Sequence, residues 1–178
     1  MELILPAIEH KQAALEYRQE HFDAGETFMH GDGGLDGVGR LGGPESYEEW
    51  LEMIAAARTR EVSEELVPAT VFFGLEDGKI VGMLQIRHAL NERLLKTYGH
   101  IGYGVRPSER RKGYATKMLA LALVKCRKMG IEKVLVSCDR NNIGSARTII
   151  KNGGVLFNEF VEDSGAAVQQ YWIELKIT

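Results

Sequence analysis

The sequence predicts a mixed α/β domain in which helices pack on a mostly antiparallel sheet. Three observations predict it. After Pro68 the apolar residues change from helical spacing to β-type runs. Asp77-Gly78 joins two of those runs, and this dipeptide signals a hairpin between antiparallel strands. From Tyr98 to Cys138 the order is strand, helix, strand, and such a crossover returns a parallel strand. With 178 residues the chain suits one domain with a sizeable core. Within it, residues 1–67 read as a helical, glycine-rich part and residues 68–178 as the strand-rich core.

"IEHKQAALEYRQEHFDAG" reads as the first helix, with Ala14, Leu15, Tyr17 and Phe22 on its apolar side and Gly25 as its stop. "HGDGGLDGVGRLGG" follows and is too rich in glycine for helix or strand. It reads as a flexible loop of the long kind that often carries function. Ser46 and Glu49 have capping-box spacing and open a second helix that runs to about Ala57. "ATVFFGLE" and "KIVGMLQIR" form the hairpin, and "HALNERLLKT" connects onward with room for one helical turn. "YGHIGYGV" is a strand stopped by Pro107, and its glycines mark a bulge or a close approach. Met118, Leu119, Ala122, Leu123 and Cys126 define a long helix that Gly130 ends. "KVLVSCD" is a strand and "IGSARTIIKNGG" a short helix closed by Gly153. "VLFNEFVE" and "AVQQYWIELKI", the latter reaching Ile177, are the closing strands.

Composition narrows the function. The chain is 44% hydrophobic and 26% charged with net charge −3, which is ordinary for a soluble globular protein and speaks against a general nucleic-acid binder. The N-terminus lacks the basic and apolar regions of a secretory signal, and no apolar run approaches the ~20 residues of a membrane span. Cys126 and Cys138 sit in apolar surroundings, away from any metal-type cluster, as reduced thiols of a cytoplasmic protein would. No metal is expected. Charge is uneven: Arg106 to Lys133 holds nine Lys/Arg against two Glu, and Glu45 to Glu65 holds seven Glu against two Arg. Such a chain could take an anion on one side and an amine on the other, or simply present two solvated helix faces.

The basic stretch has a focus at "PSERRKGYAT", Pro107 to Thr116. A strand ends there, and a helix begins near Gly113. The first turn of a helix has unpaired N–H groups and carries roughly half a positive charge. Gly113 and Ala115 keep side chains out of the way, Arg110, Arg111 and Lys112 add cations, and Thr116 adds a hydroxyl. The junction suits a phosphate or pyrophosphate. The phosphate loop of nucleoside triphosphatases, G-x-x-x-x-G-K-S/T, is absent. "GVGRLG", Gly37 to Gly42, matches a dinucleotide fingerprint, but no strand precedes it and Gly43-Pro44 follow it. Coenzyme A remains as a third ligand whose pyrophosphate fits the junction.

"RRKGYA", Arg110 to Ala115, resembles the Q/R-x-x-G-x-G/A signature of the GNAT superfamily of acetyl-CoA-dependent N-acetyltransferases. It lies where that family has it, after a glycine-containing strand and at the head of the central helix. "NNIGSARTIIKNGG" is similar to the family's second landmark, an N-x-x-S/A helix ending in glycine. Matching strand order covers about Thr70 to Ile177. "IRHALNERLL" and "GHIGYGVRPSERRKGYA" resemble a bacterial subgroup of the same superfamily.

The resemblance implies a GNAT fold with two splayed parallel strands inside a mostly antiparallel sheet, and acetyl-CoA as co-substrate. Gly104, Val105 and Arg106 would pair with pantetheine, with the Val105 N–H on the thioester carbonyl. The stretch from Arg110 through Arg111, Lys112, Gly113, Tyr114, Ala115 and Thr116 would hold the pyrophosphate, and Asn142 and Ser145 the other flank. The implied chemistry is direct transfer to an amine of a small molecule or peptide. The tyrosine that many members place seven residues beyond the Asn is Ile149 here. Tyr103 and Tyr171 are then candidate acids, with simple packing as the alternative for each. His100, on the presumed catalytic strand, is the candidate base, with a hydrogen-bonded structural histidine as the alternative. His88 and Asn91 could line the acceptor pocket, or serve a turn. Asp32, Asp36, Glu45 and Glu49 could draw a cationic amine or be plain surface. Cys138 reads as a small buried residue.

Other readings stay open at this point: a non-catalytic acetyl-CoA sensor with the same fold, and a nucleic-acid binder using the basic stretch. Against the latter, no aromatics are interleaved with the basic residues. An exposed closing strand could pair with a second copy as a homodimer.

Overall fold

The structure, a computed structural model, describes residues 1–162 and 164–175. Ile177, the expected end of the last strand, lies outside them.

The strand signals produce two antiparallel sheets rather than one. The first holds β1 (Glu2–Ile4), β2 (Ala69–Glu76), β3 (Lys79–Arg87) and β4 (Ile101–Val105), in that order. The second holds β5 (Lys133–Asp139), β6 (Val155–Val161) and β7 (Ala167–Glu174), with β7 in the middle. The helices are α1 (Lys11–Asp23), α2 (Tyr47–Ala56), α3 (Glu92–Lys96), α4 (Tyr114–Lys128) and α5 (Ile143–Lys151). β1 was invisible in the sequence because three residues are too few to show a period.

The crossover does not return a parallel partner to β4: it leads into the second sheet, with a consequence for the site. The fifteen residues of α4 cover about 22 Å, which carries the chain back to the start of β4 before β5 begins. Among the described residues β4 and β5 share no ladder, and their segments meet at one isolated, antiparallel bridge, Gly99 with Val136. Beyond it they diverge, and that fork is the dominant feature of the molecule.

Alternation along the strands sorts the core into two faces. Phe72, Leu84 and Ile86 face α4 and α5, where they meet Met118, Leu119, Ala122 and Ile149. Val71, Phe73 and Met83 face α1 and α2, where they meet Tyr17, Trp50 and Ile54. β6 is the outer edge of the second sheet, and Val155, Leu156, Phe157 and Val161 are exposed on it.

The glycine-rich segment is not the open loop its composition suggests. Met29, Leu35 and Val38 are buried in the second face, and Asp32 is buried with them. The indole of Trp50 donates to the carbonyls of Asp32 and Gly33, both at 3.2 Å. Arg18 donates to the Val38 carbonyl at 2.6 Å. The Asp36 N–H donates to Asp32 at 2.7 Å, and the Met29 N–H donates to Asp36 at 3.2 Å. Gly31 comes closest to the sheet. A Cβ there would stand 2.3 Å from the carbonyl oxygen of Gly102, and its φ of +74° already excludes most residues. The segment is a packed cover, fixed over β4.

Candidate functional site

Two cavities meet at the fork. The first, of about 830 Å³, runs from the divergence of β4 and β5 to the head of α4. The second, of about 560 Å³, lies under the glycine-rich cover, between it, β3, α3 and the end of β5. Phe28, His30, Ile101, Gly102, Ser137, Cys138 and Asp139 line both, so the two spaces are continuous.

The wall of the first cavity is mostly backbone. Arg106 donates its N–H to the Val81 carbonyl, and Gly104 stands opposite Met83 in the β3 register. Pairing in an antiparallel ladder alternates, so Tyr103 and Val105 turn their peptide groups away from β3 and into the fork. At the far end Gly113 caps α4 with φ +85°, preceded by Arg111 at φ +65°. This turn aims the N–H groups of Tyr114, Ala115 and Thr116 at the cavity, where their residues line it. No Cβ at Gly113 intrudes on that space. The opposite flank is the head of α5, where Asn142 accepts the Ser145 N–H at 3.0 Å. The pyrophosphate-and-amide chemistry of coenzyme A fits this donor set: unpaired N–H groups at one end and a strand edge at the other.

The basic run divides by role. Arg111 is exposed at the cavity, and no carboxylate pairs with it among the described residues. Arg110 also lines the cavity, but it is tied to Glu26 at 2.6 Å and donates to the Val105 carbonyl at 3.1 Å. Lys112 does not line the cavity. It pairs with Glu109 at 2.8 Å, and Lys112 and Lys79 together hold that carboxyl down at about 2. Arg106 is a further correction. It is buried, paired with Glu20 at 3.0 Å, and donates from Nε to the Ile80 carbonyl. Its peptide N–H is already spent on β3, so it has nothing left for a ligand strand.

The catalytic expectations also divide. Tyr103 lines the first cavity, and its hydroxyl lies 2.7 Å from Ser145 Oγ. Burial pushes its pKa up to about 12, so it stays protonated. Tyr171 lines neither cavity and bonds Gln169. His100 is corrected outright. Its ring Nδ1 accepts the Leu135 N–H at 3.0 Å, and its backbone N–H donates to the Leu135 carbonyl at 2.7 Å. With Nδ1 occupied, the neutral ring carries its proton on Nε2 and has no lone pair to offer. Burial, with Arg87 nearby, lowers its pKa to about 4. His100 is the rivet at the root of the fork and lines neither cavity.

His88 and Asn91 are structural as well. His88 bonds Thr70 at 2.8 Å, while Asn91 caps α3 and reaches back to the carbonyls of Ser63 and Glu64. Neither lines the second cavity. Of the acidic candidates, Asp32 lines it, and burial raises its carboxyl well above the ordinary range, with Asp36 beside it. Glu45 and Glu49 are surface residues at the head of α2, where Ser46 is the cap and the Glu49 carboxylate accepts the Glu45 N–H at 2.6 Å.

The residue sequence reasoning passed over is His30. It stands where both cavities meet, on the packed cover over β4. Solvent reaches it, yet the surrounding walls remove enough water to lower its pKa below the ordinary value. The imidazole is therefore neutral at pH 7. The signal was present: His30 opens the glycine-rich stretch, but only its acids drew notice. Among the described residues no three His, Cys, Asp or Glu side chains gather as a metal-holding group.

The sequence model of the Acetyltransferase (GNAT) family matches residues 42–153. None of the curated proteins matches the chain. Several solved structures share its architecture. One is an acetyl transferase of Salmonella typhimurium that modifies the N-terminal serine of a 50S ribosomal subunit protein. It is 13% identical, with 98% of this chain and 94% of that one covered and a TM-score of 0.67. A spermidine N-acetyltransferase from Vibrio cholerae is 13% identical over 98% and 95%, with a TM-score of 0.64. A ribosomal α-N-protein acetyltransferase in complex with coenzyme A is 15% identical over 97% and 93%, with a TM-score of 0.68. At these identities the likeness is one of fold.

Proposed function

The chain belongs to the GNAT acetyltransferase family, and from that premise we propose that it transfers the acetyl group of acetyl-CoA to a primary amine. The observation that carries this reading is the meeting of the two cavities at the fork, one ending on the head of α4 and the other under the cover. The first cavity holds the donor and the second the acceptor.

Acetyl-CoA supplies an activated acyl group as a thioester. The residues of the chain place it and manage two protons. Tyr114, Ala115 and Thr116 bind the pyrophosphate through their N–H groups, with Arg111 as the accompanying cation. The Val105 N–H, turned into the fork, faces the carbonyl oxygen on which negative charge develops. His30 takes a proton from the acceptor ammonium, directly or through one water. The amine nitrogen then bonds to the acetyl carbon as the carbon–sulfur bond breaks. Tyr103 gives its proton to the leaving sulfur and is steadied by Ser145. A thiol has an ordinary pKa of about 8.5, so this last step is an aid rather than a necessity.

The structural relatives that act on a protein N-terminus and on spermidine support an amine acceptor without choosing its kind. Two buried free cysteines agree with a reducing, cytoplasmic setting. The exposed β6 edge leaves room for a homodimer.

Calorimetric titration with acetyl-CoA, with NADH as control, tests the donor half. Binding with a micromolar Kd, about 8 kcal/mol, is expected for the wild type. Gly113→Asp, which puts a carboxylate among the α4 N–H groups, is expected to weaken it at least a hundredfold. Unchanged binding by Gly113→Asp would remove the pyrophosphate from that turn. Release of free thiol with a panel of amines then separates an enzyme from a protein that only holds the donor.

A further inference from the structure

The second cavity is lined by an arginine, Arg87, that forms no ion pair among the described residues. Arg87 is the last residue of β3 and shares the cavity-side face with Gln85 two positions before it. It is half-buried. Its Nη1 donates to the Gly99 carbonyl at 3.2 Å, and its guanidinium lies 5.8 Å from the Tyr98 ring. Among the described residues no carboxylate pairs with it. A partly buried, unpaired guanidinium is costly unless something supplies the missing charge.

Its neighbours make the omission larger. Arg93, from α3, and Arg60 line the same cavity. Burial lowers the pKa of Arg87, and Arg93 nearby adds to the shift. Glu65 and Glu162 also face this space, but neither pairs with an arginine among the described residues. The other carboxylates, Asp32 and Asp139, belong to the opposite end, where Asp139 and His30 line both cavities. The cavity therefore has a cation-rich end and an end suited to an amine.

The register sets the distance between those ends. Gln85 lies opposite Gly102, which lines both cavities. Arg87 is two residues further along β3, on the order of 7 Å from that point. We infer that the acceptor is a small amine that also carries an anionic group, and that Arg87 holds the anion while the amine lies at the fork. A planar guanidinium recognises a carboxylate or a phosphorus oxyanion through paired N–H donors. The same three arginines repel a polyamine, which brings only positive charge.

This inference rests on the acetyltransferase reading, and the test separates the two. Free-thiol release from acetyl-CoA is followed with the twenty L-amino acids and 2-aminoethylphosphonate, against amino acid amides and spermidine. Binding of the same probes to the CoA-loaded protein is measured by calorimetry. At least one acid-bearing amine is expected to exceed its own amide by a hundredfold or more in kcat/KM or in affinity. Which arm wins, carboxylate or phosphonate, names the anion. In Arg87→Gln that acid-over-amide ratio is expected to collapse toward one, mainly through KM, while acetyl-CoA affinity stays put. Arg87→Lys is expected to recover part of it. Arg93→Gln, on the exposed rim, gives a smaller loss and serves if the Arg87 variants fail to fold. Equal acid and amide, preference for spermidine, or no binding by any anionic probe would each overturn the inference. Thiol release with spermidine alone would do so while leaving the acetyltransferase reading intact.

Discussion

The donor half and the acceptor half of the cavity are built from different materials. The donor half is mostly main chain: the free edge of β4, a left-handed turn and the first N–H groups of α4. The acceptor half is mostly side chain, drawn from the glycine-rich cover, β3, α3 and the end of β5. Main-chain recognition depends on a continuous stretch holding its shape. Side-chain recognition depends on distant segments meeting. The first kind suits a ligand that is always the same, and the second suits one that differs from protein to protein.

Gly31→Ala tests that division most severely. The added Cβ has no room against Gly102, and relief requires the cover to lift from β4. A loss of about 3 kcal/mol in stability is expected from urea unfolding. Because the cover carries His30 and Asp32, turnover should fall at least a hundredfold, while acetyl-CoA affinity changes less than fivefold. Equal loss of both would mean the two halves are one mechanical unit.

Tyr103→Phe probes the seam between them. It removes the hydroxyl that meets Ser145 and nothing else. Single-turnover measurements should show the chemical step slowed by about a hundredfold or less, with acetyl-CoA affinity nearly unchanged. A change confined to affinity would make the pair a donor contact rather than an acid.

His100→Asn reaches the root of both halves and is the gentlest change. The folded protein holds His100 at about 4 against an ordinary 6.5. Its contribution is therefore complete above about pH 6.5 and is lost as pH falls toward 4. At pH 5 the loss is about 2 kcal/mol. Asn offers an oxygen for the Leu135 N–H and does not titrate in this range. The melting temperature of the variant should therefore fall less than that of the wild type between pH 7 and pH 5. Asp32, whose carboxyl burial raises, has the opposite slope, and comparing the two proteins at each pH cancels it.

The same contrast explains what the sequence disclosed. The strand–turn–helix from Ile101 to Lys128 is contiguous, so its period, its start at Gly113 and its basic run could all be read in line. Val105, Arg111, Gly113, Asn142 and Ser145 line the first cavity. Arg106 and Lys112 fail because composition does not reveal which cations are already paired, here with Glu20 and Glu109. His100 fails because its partner, Leu135, lies on another strand. In "IRHALNE" attention fell on His88 and Asn91. Counting in twos from Gln85 would have picked Arg87 and turned His88 to the other side. His30 had no such count available, since a glycine-rich cover has no period.

The single bridge between Gly99 and Val136 has a consequence for the life of the protein. Beside that bridge lie the His100–Leu135 hydrogen bonds, and beyond them the two sheets part around the first cavity. On the reading proposed here, that cavity takes the acetyl donor, which would serve as mortar as well as reagent. A ligand present at a hundred times its Kd adds about 2.7 kcal/mol to the folded state. The chain would then be sturdiest when acetyl groups are plentiful and most open to proteolysis when they run short. Its abundance would report on the cell's acetyl supply even in the absence of any acceptor.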